Sequence, residues 1–133
     1  MPIFLQPFVR YADFTGRSRR SEYWLFRLVT IVAYIALFLI AEALRSYNSF
    51  LYILPMMLFF VLALASIVPS LAVGFRRLHD SDRSAWWILI AFVPILGPLV
   101  LLAFLCIDGT PGDNRFGPDP KGRGAPSPGL APA

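Results

Sequence analysis

The chain has 133 residues, of which 57% are hydrophobic and only 15% are charged, and its mean hydropathy is positive. This composition excludes an ordinary soluble domain, because such a domain needs a polar surface around its core. The net charge of +4 does not indicate a nucleic-acid partner, since the arginines lie next to long apolar segments and not along a polar face. We therefore expect a membrane protein that is surrounded by membrane lipids.

The first twenty residues predict a short helix that lies at the membrane interface. Phe4, Phe8 and Tyr11 recur at helical spacing, and residues 13–16 have the composition of a turn. A single membrane domain is expected to cover residues 1–120. Residues 121–133 are rich in proline, glycine and alanine, which predicts a disordered tail.

Three apolar segments predict membrane spans. No charged residue occurs within 46–75 or 84–107, and each run is longer than the roughly 20 residues that cross a hydrocarbon core. The run 28–41 is shorter, but aromatic residues extend it toward the N-terminus, and Arg27 can direct its guanidinium group to the lipid headgroups. We therefore predict an all-α integral membrane protein with spans at about 23–44, 50–74 and 85–107.

The distribution of arginines predicts the orientation of these spans. Several arginines precede the first span or lie between the second and third, whereas the loop between the first and second contains only Arg45. Cytoplasmic loops carry the excess of positive charge in membrane proteins. The N-terminus and residues 74–84 are therefore expected in the cytoplasm, and the Arg45 loop outside.

The third apolar segment has two possible arrangements. Pro94 and Pro98 each remove a helical hydrogen bond near its centre, where unsatisfied backbone groups are costly. A kinked span would leave the C-terminal tail outside, and a re-entrant hairpin would return it to the cytoplasm. Length favours the kinked span, because halves of roughly ten residues cannot each cross the bilayer.

Residues 74–84 contain six ionisable side chains, including the chain's only histidine. If the second helix continues through them, Arg76 shares a face with His79 and Asp80, and Glu22 and the N-terminal arginines can lie nearby. Such charges can set the topology and join helix ends. They can also bind an anionic headgroup or a phosphorylated ligand, because guanidinium groups match phosphate in shape and charge.

An enzymatic role acting on lipid headgroups is a weaker hypothesis, and it would make His79 the acid or base. Asp80 is its neighbour on a helix and points about 100° away, so it is poorly placed to orient the ring. The sequence has no nucleophile motif and no metal-ligand spacing. We assign no catalytic residue, no cofactor and no metal.

Motifs in three polar segments resemble the bacterial domain-of-unknown-function family 805, which consists of small inner-membrane proteins. The matching residues, in chain order, are Gly16-Arg17, Arg19-Arg20, Glu22-Tyr23-Trp24, Phe75-Arg76-Arg77-Leu78-His79-Asp80, Ser84, Trp86-Trp87, Gly109-Thr110-Pro111-Gly112 and Asn114-Arg115-Phe116-Gly117-Pro118-Asp119-Pro120. The match extends over about residues 14–120. The resemblance implies a bacterial inner-membrane location and no established activity.

The resemblance also implies a geometry. Its third motif lies in the tail, so the tail is expected in the cytoplasm if the three motifs meet. Arg115 would then pair with Asp80 or Asp82. This arrangement favours the hairpin over the kinked span that length favours.

The candidate functional site is the charged patch that these motifs would form. Its residues are Arg17, Arg19, Arg20, Glu22, Arg76, Arg77, His79, Asp80, Asp82, Asn114 and Arg115. The first interpretation of the function is a non-catalytic interaction or scaffold module, which self-associates or binds a membrane partner. Ser66, Ser70 and Gly74 support it, because small residues at four-residue spacing let helices approach closely in lipid. The alternative is headgroup or phosphorylated-ligand binding by the patch.

Overall fold

The computed structural model describes residues 2–123, which form helices and turns and contain no β-strand. Two short helical turns come first, a 3-10 turn at Ile3–Leu5 and helix α1 at Gln6–Val9, followed by two long helices, α2 at Arg20–Arg45 and α3 at Ile53–Asp80. A 3-10 helix at Ala85–Phe92 and helix α4 at Leu96–Cys106 complete the fold. The all-α prediction is confirmed. Most of the tail predicted as disordered, residues 124–133, lies outside the described residues.

Helices α2 and α3 form an antiparallel pair that is joined by the short connection 46–52. With 26 and 28 residues, they are about 39 and 42 Å long, whereas a hydrocarbon core is about 30 Å thick. Only 17% and 22% of their most apolar stretches are buried inside the protein. A core helix of a soluble protein would be mostly buried, so both helices have the length and exposure of membrane spans.

A hydrogen bond between two hydroxyl groups connects α2 and α3 in the middle of their apolar length. The Ser66 hydroxyl donates to the carbonyl of Ala63 at 3.0 Å, so the Tyr34 hydroxyl is the donor to Ser66. Ser66 is buried and belongs to the small-residue stripe of α3. The small side chain at this position leaves room for the tyrosine to reach across.

We expect Tyr34→Phe to lower the free energy of unfolding by about 0.6–1.7 kcal/mol, the usual contribution of an interhelical hydrogen bond in a membrane protein. Equilibrium unfolding of the purified protein in mixed micelles measures this change. Tyr47→Phe is the control, because Tyr47 lies exposed in the connection between the helices. If both variants lose the same amount, the contact with Ser66 is not the cause.

The third apolar segment folds back as a hairpin, which we define as residues 85–106. Its two arms pack against each other and the chain reverses at Ile95, whose φ of 67° and ψ of −62° form a γ-turn closed by a 2.8 Å hydrogen bond from the Leu96 N–H to the Pro94 carbonyl. The end of the hairpin returns to the end of α3, because the Arg77 guanidinium donates to the carbonyls of Leu105, at 3.0 Å, and Ile107.

The structure shows two short arms joined by a reversal here, and not the continuous kinked helix that length favoured. The arms contain eight and eleven residues, which makes each about 16 Å long and about half as long as the hydrocarbon core is thick. Both ends of the hairpin lie at the same end of the molecule, next to the end of α3. The two prolines stop a continuous helix and allow the reversal between the arms.

The N-terminal helix exists but is short, since α1 has only four residues. It packs against the start of α2, where the rings of Phe8 and Phe26 lie 5.2 Å apart, and the Phe14 ring lies 5.2 Å from Phe75 at the end of α3. These contacts place the N-terminal segment at the end of the molecule where α2 begins and α3 ends. We call this the polar end.

Candidate functional site: an ionic cluster at the polar end

Three chain segments meet at the C-terminus of α3: the N-terminal polar segment (16–24), the central polar segment (74–84) and the C-terminal polar segment (109–120). The last carbonyls of a helix have no partner within it. The Thr110 N–H supplies such a partner to the carbonyl of Asp80 at 2.7 Å, and the Ser18 N–H donates to the carbonyl of Arg76, one turn earlier, at 3.1 Å. The segments expected to meet from the family resemblance are therefore in contact.

Asp80 lies at the centre of this contact. We call the buried charged residues here the ionic cluster, which consists of Arg17, Glu22, Arg76, Arg77 and Asp80. Its carboxylate accepts a hydrogen bond from Arg17 Nε at 2.9 Å and one from Arg77 Nη1 at 2.7 Å, and the three side chains are at most 1% exposed. Because buried charges are stable only when they are paired, the carboxylate and the two guanidinium groups depend on one another. Both cations also complement the negative end of the α3 dipole.

Arg17 connects all three polar segments. Besides Asp80, its guanidinium group donates to the carbonyl of Thr110 at 2.5 Å and to that of Gly112 at 2.6 Å. Asp119 lies 3.8 Å from Arg17 Nη2. The side chain of Arg17 therefore holds the C-terminal polar segment against the end of α3.

Arg76 faces away from Asp80, although a helical spacing of four residues predicts a contact. Its guanidinium group donates to the Glu22 carboxylate at 3.0 Å, to the Ser18 hydroxyl at 2.9 Å and to the carbonyl of Asp13 at 2.6 Å. Glu22 also lies in the first turn of α2, where a carboxylate is favoured by the helix dipole. Arg76 thus joins the end of α3 to the beginning of α2.

The chain after the hairpin forms a strap, residues 108–123, that crosses the polar end. Gly109 lies directly on Asp80, since a Cβ atom at this position would be 2.0 Å from Asp80 Oδ2. Asp108 binds Lys121 Nζ at 2.7 Å and Arg123 Nη1 at 2.9 Å. The strap therefore includes Arg123, three residues beyond position 120.

Sequence reasoning missed the acidic residues that close the strap. Asp119 accepts hydrogen bonds from the N–H groups of Gly112 and Lys121, at 3.2 and 2.9 Å, and pairs with Arg123 at 2.9 Å. Asp119 belongs to the C-terminal motif, and its place in that motif was the one indication in the sequence that it has a structural role. Arg123 lay in a stretch whose composition predicted disorder, so composition concealed its role.

The strap is expected to loosen in acid. Hydrogen bonds from Lys121 and the nearby backbone lower the pKa of Asp108 to about 2, and Arg123 lowers the pKa of Asp119 well below its usual range. An unfolded aspartate has a pKa of about 3.9. The stabilisation is therefore complete above pH 4 and is lost as the pH falls toward 2, because depressed carboxyl groups then take up protons.

A pH-insensitive fluorophore on Cys106, the chain's single and exposed cysteine, measures this loosening. Its emission is expected to change between about pH 4 and 2. Asp108→Asn should remove part of the transition. Asp113→Asn is the matched control, because Asp113 is exposed and forms no ion pair with residues 2–123. An identical transition in Asp108→Asn contradicts the role of Asp108.

Arg115 and Asp82 lie on the outside of the polar end, whereas His79 is buried. Arg115 Nε pairs with Asp82 at 3.2 Å, so of the two expected partners Asp82 is the one in contact. The His79 ring stacks on Phe116 with 4.1 Å between ring centroids, and its Nδ1 donates to the carbonyl of Gly16 at 3.1 Å. A catalytic histidine would need a hydrogen bond from its ring to an orienting carboxylate. Within residues 2–123, neither Asp80 nor Asp82 forms a hydrogen bond with this ring.

Three further predicted residues also bind the strap or the end of α3. Arg19 Nε donates to the carbonyl of Pro120 at 2.7 Å, and Arg20 lies 3.6 Å from Asp108. The Asn114 amide donates to the carbonyl of His79 at 2.9 Å. The structure thus brings the whole predicted patch together, and its residues bind mainly one another. In residues 2–123 no cluster of three metal-ligating side chains occurs.

The chain's relatives share its length and its membrane character. A family model described as "Protein of unknown function (DUF805)" matches residues 11–118. The chain belongs to this family. This DUF805 protein is 43% identical to "Inner membrane protein YhaH" of Escherichia coli (strain K12) over 124 residues, which cover 91% of the chain and 98% of the relative. It is 44% identical to "Inner membrane protein YhaI" of the same strain over 126 residues, 91% of the chain and 97% of the relative.

No solved structure matches the chain significantly. The resemblance that the motifs suggested is confirmed by the family match. The matched residues include the three polar segments almost completely, so the ionic cluster is built from residues within the family's extent.

Proposed function

We propose that this DUF805 protein lies in the bacterial inner membrane with both termini in the cytoplasm. In this topology α2 and α3 span the bilayer, and the hairpin enters the cytoplasmic leaflet and returns. Three observations support it: relatives are named inner-membrane proteins, the arginines concentrate at the polar end, and the hairpin arms reach about half of the hydrocarbon thickness.

Reporter fusions to the C-terminus test the topology. A reporter that is active only in the cytoplasm should be active, and a phosphatase that is active only in the periplasm should be inactive, because the strap binds the cytoplasmic ends of α2 and α3. The same reporters inserted after Tyr47 provide the control with the opposite result. Periplasmic activity at the C-terminus contradicts the re-entrant hairpin.

We further propose that the protein is a non-catalytic interaction module whose polar end is a rigid cytoplasmic platform. The observation that carries this is the buried Asp80, paired with both Arg17 and Arg77. Charges that are consumed by mutual pairing hold segments in place and are not free to act on a substrate. The signature residues therefore support a structure that is presented to a partner or to a second copy.

Headgroup binding by Arg76 and Arg77 fits less well. Both side chains are fully buried, and each guanidinium nitrogen already donates to a carboxylate, a hydroxyl or a carbonyl group of the protein. An anionic ligand would have to replace these internal hydrogen bonds. The platform interpretation requires no such rearrangement.

Site-specific photocrosslinking in native membranes tests the interaction role. A photoreactive residue at Asp113, which is exposed in the strap at the polar end, should produce a discrete adduct, either a dimer or a complex with one membrane protein. The same residue at Tyr47, exposed in the connection 46–52, is the control. Monomer alone at Asp113 and at further exposed positions of the polar end, such as Arg115, contradicts an interaction module.

A further inference from the structure

A cleft lies between α2, α3 and the hairpin, apart from the ionic cluster. It has a volume of about 140 Å³, and its walls are mostly apolar. Helix α3 contributes two small residues, Ser70 and Gly74, and the hairpin contributes Ile88 and Leu101. The small side chains of α3 create the space, because larger residues at these positions would fill it.

Arg27 of α2 lies at the edge of this cleft, and no carboxylate of residues 2–123 forms an ion pair with it. Its guanidinium carbon is 6.0 Å from the centre of the Tyr23 ring. It comes seven positions after Arg20 in the helix, so it lies about 10 Å farther along α2 than the polar end. A cation at this depth needs a compensating anion, because the surroundings are less polar than water.

Arg45, at the other end of α2, is an arginine with a carboxylate partner and serves as a comparison for Arg27. Its guanidinium carbon lies 5.7 Å from the Tyr52 ring centre, almost as Arg27 lies against Tyr23, but Glu42 is 3.5 Å away. The two arginines thus have the same aromatic contact and differ in the carboxylate. Among residues 2–123, no carboxylate stands beside Arg27 as Glu42 stands beside Arg45.

We propose that this cleft binds one anionic phospholipid, with its phosphate on Arg27 and part of one acyl chain in the cavity. Guanidinium groups donate paired hydrogen bonds to phosphate oxygens. Apolar cavities of about 150 Å³ accept a molecule of the size of benzene, so the cleft holds a short segment of a chain and not the whole lipid.

The apolar walls select a lipid over free phosphate, because a soluble anion would leave them empty. The lining contains no acidic side chain, so the ammonium group of a zwitterionic headgroup has no partner there. An anionic headgroup such as phosphatidylglycerol is therefore preferred. This site lies in the membrane domain and goes beyond the interaction role of the platform.

Native mass spectrometry of the full-length protein, titrated with phosphatidylglycerol, tests the proposal. The wild type should retain one lipid, and its affinity should be at least about tenfold higher than that of Arg27→Gln. The variant loses the hydrogen bonds from the guanidinium to the phosphate, which join two charged groups. Arg45→Gln is the matched control and should bind like wild type. Ser70→Leu, which fills the cleft and keeps Arg27, should also lose the site, and it carries the test if Arg27→Gln does not fold.

Two further titrations identify the ligand. Phosphatidylethanolamine with the same acyl chains should bind at least about tenfold more weakly than phosphatidylglycerol, and inorganic phosphate should neither bind nor displace the lipid. Equal retention by wild type, Arg27→Gln and Ser70→Leu overturns the site. Equal affinity for the two lipids overturns the anionic assignment, and displacement by phosphate overturns the lipid assignment.

Discussion

Asp80→Asn is expected to destabilise the protein by about 3–5 kcal/mol, the usual cost of removing one partner from a buried ion pair. The asparagine fills the same space but carries no charge, and its amide group would face guanidinium donors. Arg17 and Arg77 would remain buried, at distances of 2.9 and 2.7 Å from the replaced group. Unfolding in mixed micelles measures the loss, and the amount of protein retained in the membrane should fall with it.

Asp82→Asn is the matched control for this change. Asp82 is two residues away and also pairs with an arginine, but that pair with Arg115 is roughly half exposed. Exposed ion pairs contribute about 0–1 kcal/mol, because water and salt screen them. If Asp80→Asn stays within about 1 kcal/mol of the wild type, the carboxylate does not hold the polar end together.

The membrane-length helices could be predicted from the sequence because the hydrophobic signal is local. Uncharged runs such as 46–75 report their environment directly, and the helix that follows from one of them extends from Ile53 to Asp80. The contact of Arg115 with Asp82 was also within reach, because motifs that belong to one signature tend to lie together. Neither inference required knowledge of the tertiary structure.

The pairing within the cluster could not be predicted, because it depends on neighbours that are distant in sequence. Helical spacing allowed Asp80 to bind either Arg76 or Arg77. The Arg76 guanidinium donates to Glu22 and Ser18. Arg17 donates to one carboxylate oxygen of Asp80, and Arg77 donates to the other. The segments that pack around α3 determine which arginine binds Asp80. Residue spacing within α3 carries no information about those segments.

The hairpin, too, depends on a contact between segments that are distant in sequence. Length showed correctly that half-segments cannot cross a bilayer. Segment length takes no account of a contact that holds the returning end of the hairpin. Arg77 provides this contact by donating to the carbonyl of Leu105. A reversal between two short arms is stable when both of its ends are held at the same end of the molecule, and Arg77 holds the returning end there.

Gly97→Ala is expected to prevent closure of the hairpin. A Cβ atom at this position would lie 1.7 Å from the carbonyl oxygen of Ile90 and 3.0 Å from Val93 Cβ. The first of these atoms belongs to the backbone, so the two arms must separate to relieve the overlap. Overpacked sites cost about 1–3 kcal/mol when side chains can adjust, and we expect a loss at or above the upper end of this range.

Gly74→Ala separates this overlap from a general effect of removing glycine. Gly74 also faces the hairpin from a helix, but a Cβ atom there would meet Ile88 Cδ1 at 3.7 Å, an ordinary contact. Because alanine is the better helix former by about 0.5–1 kcal/mol, this variant should be as stable as the wild type or slightly more stable. Unfolding in mixed micelles compares the two, and equal stability of Gly97→Ala and Gly74→Ala would mean that the arms are not packed as closely as the reversal requires.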